Sequence, residues 1–455
     1  MKPFRPNIVL IVLDSVRQDH LSCYGYGRPT TPHIDRLAAE GLRCSRAYSA
    51  SCWTIPSHAS LFTGQFPSQH RVDLDNRFLR PQTQTLAGYL KGLGYATACI
   101  SSNNFVAGGV KNLNQGFDLT VDVEGDYPAG DSPLSRARRL LQRRWRRLTA
   151  RDRGARRATR LAREWTARQE GPFFLFMNYM DCHLPYRLKG PERYRYVPAA
   201  QRARVDRLPL DPFAIMAGEL ELPEGGAAGL QALYDGCLHY LDGQVGALAA
   251  LLKKHGLYEN TLFILTSDHG ESFGEKGLFD HQYGLYEHLI RVPLVLRLPQ
   301  GEQPALQGGE LVQLTDLYPA LVRWLGDGSP AGREALFAGH YREVALAEYL
   351  VPNLRAFQRR FPQAPVERFN AALRSIREGD LKLICSRDGD RLLFDLASDP
   401  QEAQDLSHAR PEQGERLQAR LQTLLGPWPE TGGGETSLTG LPDELQERLQ
   451  ALGYL

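Results

Sequence analysis

The sequence predicts an α/β fold built on a mostly parallel sheet flanked by helices. Three observations carry that expectation: short apolar runs without alternation, helical patterns between them, and acidic or histidine residues where the runs stop. The runs cover 7–13, 96–100, 172–177, 261–266 and 292–298. Each is four to eight residues long and rich in β-branched or aromatic side chains, as strands buried on both faces are. Helical spacing marks 83–93 and 230–254, so strand and helix alternate along the chain.

The ends of the strands matter most. The first closes on Asp14, the third runs on to Asp181 and His183, and the fourth closes on Asp268-His269-Gly270. In open α/β sheets, ligands bind beyond the carboxyl ends of the strands, so these side chains are expected to converge. A single aspartate after a strand is an ordinary turn former or helix cap. Three strands ending this way, two with a histidine, read as a site.

The segment Ser51-Cys-Trp-Thr-Ile-Pro-Ser-His58 reads as a loop feeding a helix that Gly64 ends. Thr54 then lies at the helix N-terminus, where free N–H groups attract anions. With a divalent metal on Asp14, Asp268 and His269, its hydroxyl could attack phosphorus or sulfur. The alternative is that Thr54 only caps the helix. Cys52 is a weaker nucleophile candidate, because no base adjoins it in sequence.

Composition sets the bounds. The chain has 455 residues, 42% hydrophobic and 23% charged, enough for a large core and two or three units. Its 54 basic and 52 acidic residues leave a net charge of +2, which gives no global reason to expect nucleic acid. Seven cysteines without a Cys-x-x-Cys pair argue against a zinc finger and a disulfide framework. The apolar run from Ile8 is cut by Asp14, too short for a signal core or a membrane span, so a cytoplasmic location is expected.

The +2 hides a contrast. Residues 136–168 hold fourteen arginines against Asp152 and Glu164, with Leu141, Trp145 and Leu148 at helical spacing. That pattern reads as a solvated insertion helix, with peripheral contact to an anionic membrane or a funnel for an anionic substrate as the functional readings.

Together the motifs resemble the sulfatase-like branch of the alkaline phosphatase superfamily nearly end to end. The matching pieces are Pro6-Asn-Ile-Val-Leu-Ile-Val-Leu-Asp14, the Pro56-Ser57 helix to Thr63-Gly64, Pro67-x-x-His70 and His183-x-Pro185-Tyr186. They continue with Ser267-Asp-His-Gly-Glu271, Leu285-Tyr-Glu287, Arg291-Val-Pro293, and Leu392-Leu-Phe-Asp-Leu396 leading to Asp399-Pro400. The resemblance implies one divalent metal on Asp14, Asp268, His269 and Thr54, and the histidine in that donor set favours zinc or manganese before calcium or magnesium. It puts Thr54 where the nucleophile stands, and His183 near the leaving-group oxygen. His281 falls near a second cationic or acid residue. Asn76 resembles an asparagine that holds a phosphoryl oxygen in phosphodiesterase relatives.

The departures are informative. The formylglycine motif Cys/Ser-x-Pro-x-Arg is Thr54-Ile-Pro-Ser-His58 here, and threonine cannot yield the formylglycine aldehyde. His58 replaces the arginine, Ser15 replaces a second acid, and Ser101-Ser-Asn103-Asn104 replaces a Gly-Lys-x-His stretch. His58 and Asn103 are therefore expected to face substrate. The expectation is a metal-dependent hydrolase of a phosphodiester, phosphonate monoester or phosphomonoester, acting on an anionic small molecule. A sulfatase, a phosphotransferase and a non-catalytic binder of an anionic partner are the alternatives. The catalytic domain is expected over 1–340, with the basic insertion at 131–170, and a smaller C-terminal α+β subdomain over 341–455. Within it, 379–396 reads as a hairpin turning at Asp388-Gly389, and 407–455 as helical with an interruption at 432–434.

Overall fold

A computed structural model describes residues 5–74, 76, 78–108, 112–124, 150–326, 335–338 and 342–430. The strands of its larger part are β1 (Asn7–Leu13), β2 (Leu42–Cys44), β3 (Arg46–Tyr48), β4 (Ala96–Ser101), β5 (Leu119–Asp122) and β6 (Phe173–Tyr179). They continue as β7 (Thr261–Thr266), β8 (Ser272–Phe273), β9 (Phe279–Asp280), β10 (Leu294–Arg297) and β11 (Leu311–Gln313). Seven of these form one sheet in the order β2-β10-β7-β1-β6-β4-β5. All neighbours are parallel except those of β10, which runs antiparallel to β7 and β2. The sheet is thus mostly parallel, as the unalternating runs predict.

Every residue of β1, β6 and β7 is buried. These strands carry the core because their side chains are apolar on both faces. Register then decides where their ends fall. Leu13 pairs with Tyr179 and Val12 with Thr266, so β1, β6 and β7 stop in line. The residues that follow, Asp14, Asp181 and Asp268, leave the sheet at one edge.

Helices cover the faces. Gly226–Lys254 buries Leu233, Cys237, Leu241, Val245 and Leu248 along one stripe. It starts four residues before the expected 230, because the glycines and alanines there carry no apolar signature. Ala155–Thr166 buries Ala158 and Ala162 and turns Arg156, Arg160 and Arg163 outward. The expected stripe of Leu141, Trp145 and Leu148 lies outside the described residues, as do the 340/341 boundary and the 432–434 interruption. No helix of the described residues is long and apolar enough to cross a membrane.

A second sheet follows: β12 (Val344–Tyr349), β13 (Leu373–Glu378), β14 (Leu381–Ser386) and β15 (Arg391–Asp395), an antiparallel meander. The turn between β14 and β15 holds Asp388-Gly389 as expected, while Gly379 at φ 59° turns the chain from β13 into β14. Helix Pro411–Leu425 lays Leu417 and Leu421 on this sheet. Several ties join it to the larger part. Lys382, fully buried, pairs with Glu287 (3.0 Å) and Glu402 (2.8 Å). The Glu348 amide of β12 donates to the Ala50 carbonyl (2.9 Å), and Ser51 Oγ donates to the Glu348 carbonyl (2.8 Å).

His70 shows how the packing fixes protonation. The Val72 amide donates to its Nδ1 (3.0 Å), so Nε2 carries the proton and faces Ser60 Oγ (3.0 Å). Burial pushes the imidazole down to about 3. A group depressed in the folded state binds its proton only on unfolding, so its stability contribution is complete above pH 6.5. It is lost as pH falls from 6.5 towards about 3, at about 1.4 kcal/mol per pH unit. The decline of Tm between pH 6.5 and 4 is therefore expected to be shallower in His70→Asn; an unchanged slope would assign the acid sensitivity elsewhere.

Candidate active site

The candidate nucleophile sits where a strand-end loop becomes a helix. Helix Thr54–Thr63 starts without a side-chain cap and ends at Gly64 in the left-handed region, φ 70°. All ten of its residues are buried, so its N-terminus points into the protein rather than at water. A 10-residue helix with an uncapped, buried start presents N–H groups to an anion.

Asp14, Asp268 and His269 offer ligand atoms that all lie within 4.8 Å of one another, and none of the three is exposed. His269 Nε2 stands 3.4 Å from Thr54 Oγ1 and 3.3 Å from Asp268 Oδ2. Its Nδ1 faces the Gly270 carbonyl at 2.9 Å, which holds the proton there and leaves the Nε2 lone pair for a ligand. Gly270 is required by close approach: a Cβ there would come 1.8 Å from the His288 carbonyl oxygen.

The carboxylates are held from outside. Asn103 Nδ2 donates to Asp14 Oδ2 (2.9 Å), joined by Asn178 Nδ2 (3.4 Å), while Ser15 Oγ donates to Asp14 Oδ1 (3.2 Å). The Ser15 amide donates to Asp268 Oδ1 (3.3 Å), from a backbone at φ 61°. His58 lies between Thr54 and Asp268, its Nδ1 2.9 Å from the Thr54 carbonyl and 3.5 Å from Asp268 Oδ2. Burial and the nearby Asp14 charge push the Asp268 carboxyl well above the usual range. Burial also pushes on Asp14, but His183, His269 and the Asn103 bond outweigh it and hold its carboxyl low.

The residues fit a divalent metal. Two buried carboxylates face each other with no buried base between them but histidine, and Asp268 Oδ2 has no hydrogen bond. Two oxygens, one imidazole nitrogen and a hydroxyl form a mixed donor set that suits zinc, manganese, magnesium or calcium.

Two more expected residues reach this neighbourhood. The His281 ring stacks on His269 with centroids 4.3 Å apart, and His183 lies edge-on to His281 at 4.9 Å. His183 Nδ1 faces the Leu184 carbonyl at 2.5 Å and its Nε2 is buried without a hydrogen bond. Asn76 is not drawn in by its contacts: its amide donates to the Arg71 carbonyl (2.6 Å), and among the described residues no hydrogen bond joins it to the Asp14 cluster. Asn103 is spent on Asp14 rather than standing free for substrate. Asp181 Oδ1 accepts from the Arg153 amide (2.9 Å), a supporting turn.

Sequence reasoning passes over three residues. Asn178, the penultimate residue of β6, and Arg153, whose Nη1 donates to the His183 carbonyl (2.9 Å), carry no local signature. Asp280 does carry one, since Asp280-His281 repeats the Asp268-His269 pair twelve residues on. It sits at φ 69°, a strained position for a residue with a side chain.

A parallel sheet whose strand ends bring two aspartates and a histidine against a helix-borne hydroxyl defines a hydrolase of the alkaline phosphatase superfamily. The chain belongs to the sulfatase family, whose model matches residues 6–327. It is 29% identical over 344 residues to the uncharacterised sulfatase YidJ of Escherichia coli K12, covering 70% of this chain and 67% of that protein. It is 26% identical over 437 residues to the ulvan-active sulfatase of Formosa agariphila, covering 93% and 81%. Among solved structures, the phosphonate monoester hydrolase of Agrobacterium radiobacter shares the fold at TM-score 0.69 and 22% identity, over 92% of this chain and 95% of that one.

Proposed function

We propose that this sulfatase-family hydrolase cleaves a phosphoester (a phosphodiester, phosphonate monoester or phosphomonoester) through a covalent intermediate on Thr54. The observation that carries the reading is Thr54 itself, a plain hydroxyl at the buried helix start, 3.4 Å from His269 Nε2, where formylglycine chemistry is closed to it. A divalent metal on Asp14, Asp268, His269 and Thr54, zinc or manganese before calcium or magnesium, supplies Lewis acidity and lowers the pKa of the hydroxyl.

The chain's own residues do the rest. Thr54 Oγ gives up its proton and bonds to phosphorus as the bond from phosphorus to the ester oxygen breaks, one proton in net passing to that oxygen, and the N–H groups at the helix start stabilise the charge that develops on the phosphoryl oxygens. Asn103, Asn178 and Ser15 keep Asp14 oriented. His58 fixes the Thr54 carbonyl and bounds the substrate side. His183 and His281 stand at the leaving oxygen, where a proton or positive charge must arrive. Water then attacks phosphorus and Thr54 Oγ departs, which restores the hydroxyl. A sulfo-threonine would be harder to release, because formylglycine enzymes rely on elimination from their aldehyde hydrate.

The sulfatase relatives favour a second reading, hydrolysis of a sulfate ester at the same site. Arg151, Arg156, Arg157, Arg160 and Arg163, with the single acid Asp152, line a groove of about 620 Å³, a net basic surface that suits attraction of either anion or of an anionic surface. Metal-replete protein is expected to turn over p-nitrophenyl phosphate, its bis ester or a phenylphosphonate ester faster than p-nitrophenyl sulfate. Faster sulfate turnover would reverse the preference.

A further inference from the structure

Arg153 stands apart from the other arginines of 136–168. Among those described it is the buried one, 3% exposed, whereas Arg151, Arg156, Arg160 and Arg163 are exposed. The chain on either side fixes its place. Asp152 accepts from the amides of Gly154 (2.9 Å) and Arg156 (3.2 Å) at the start of helix Ala155–Thr166. Gly154, at φ 97°, packs where a Cβ would come 2.7 Å from Val123 Cγ1. The Arg153 amide donates to Asp181 Oδ1 (2.9 Å), which sets the residue against the loop that leaves β6.

That loop carries His183. Arg153 Nη1 donates to the His183 carbonyl (2.9 Å) and to the Leu184 carbonyl (3.3 Å). The Leu184 carbonyl is also the group that His183 Nδ1 faces at 2.5 Å. One oxygen, with two lone pairs, thus takes the guanidinium and the imidazole N–H together. The tautomer of a histidine follows the bond that one of its nitrogens makes, so this carbonyl puts the proton on Nδ1. His183 Nε2 is left buried and without a hydrogen bond, as the nitrogen open to a reacting oxygen. A guanidinium suits the task because its N–H groups hold fixed directions in one plane, and here two from one nitrogen bridge consecutive carbonyls. Glu124 Oε1, 3.5 Å from Arg153 Nε, offsets the buried charge.

We infer that Arg153 is a positioning residue for His183: it pins the Leu184 carbonyl against Nδ1, so the ring keeps one tautomer and one orientation beside His281. Its hydrogen bonds among the described residues reach neither Thr54 nor Asp14, Asp268 and His269, so it acts through the imidazole. The kinetic side of this inference rests on the reading in which His183 serves the leaving oxygen, whereas the tautomer is read without turnover.

The Zn²⁺-loaded full chain, carrying ¹⁵N-labelled histidine, is examined by long-range ¹H–¹⁵N correlation at about pH 8, where an ordinary imidazole is neutral. The His183 signals are those lost in His183→Gln. The wild type is expected to show a single neutral tautomer protonated on Nδ1, and Arg153→Met to show shifts averaged between both tautomers. An Arg153→Met spectrum with the wild-type tautomer overturns the inference. Should the methionine variant not fold, Arg153→Lys takes its place, since it keeps the charge and loses the planar bridge. A mixed tautomer is again the expected result, and an unmixed Nδ1–H form overturns the inference. In turnover, Arg153→Met is expected to lose about 10²-fold in kcat on phenyl phosphate, whose leaving oxygen needs a proton, and less than about threefold on p-nitrophenyl phosphate, with KM steady. Equal losses on the two esters assign Arg153 to the fold alone and overturn its positioning role. A tautomer that shifts in Arg153→Met while Thr54→Ala keeps full activity supports Arg153 and sinks the Thr54 reading.

Discussion

Thr54→Ala is expected to lose about four to six orders of magnitude in kcat on every ester the wild type cleaves, as removal of a catalytic nucleophile does elsewhere. The substitution deletes one hydroxyl and one methyl from the first residue of a fully buried helix, so the backbone N–H groups around it survive. Far-ultraviolet circular dichroism and Tm are expected to stay close to wild type, which separates lost chemistry from lost fold. Thr54→Ser is the companion: it keeps the attacking oxygen and is expected to retain a measurable fraction of activity. Activity of Thr54→Ala within about tenfold of wild type would remove Thr54 from the reaction and return it to the role of helix starter.

The largest stability effect is expected far from the chemistry, at Lys382. This ammonium is fully buried on β14 between Glu287 and Glu402. Lys382→Met fills the volume but leaves two buried carboxylates facing each other. Breaking a buried pair by removing one partner costs about 3–5 kcal/mol. Glu287 also accepts from Tyr48 Oη (2.8 Å) and from Arg377 Nη1 (3.2 Å), so the loss reaches both the second sheet and the loop between β9 and β10. Chemical denaturation is expected to show the lower midpoint with an unchanged slope. An unfolding free energy within about 0.5 kcal/mol of wild type would mean the carboxylates are relieved by protonation or water.

The sequence made the sheet readable because β1, β6 and β7 are buried on both faces, and a run such as Asn7–Leu13 can do little else. The Asp14 cluster was readable for a related reason. Asp14 follows β1 directly and Asp268 follows β7 after one residue, so strand register brings them together. Asp280 was not readable in that way, since it ends a two-residue strand whose place depends on its pairing with β8. Nor was Asn103, which looks like a replaced substrate contact and instead donates to Asp14. Asn76 shows the reverse case: motif spacing points to the site, but the turn after His70 takes its amide.

The bond between Ser51 Oγ and the Glu348 carbonyl spans 297 residues, and it ties the loop that carries Thr54 to β12. On a ribosome adding about 5–20 residues per second, that span takes about 15–60 s to emerge. Through that interval the nascent chain already holds Asp14 and Thr54, yet the nucleophile loop lacks the strand that it bonds to. The loop that leads into Thr54 therefore gains this bond only once the first strand of the second sheet has been translated.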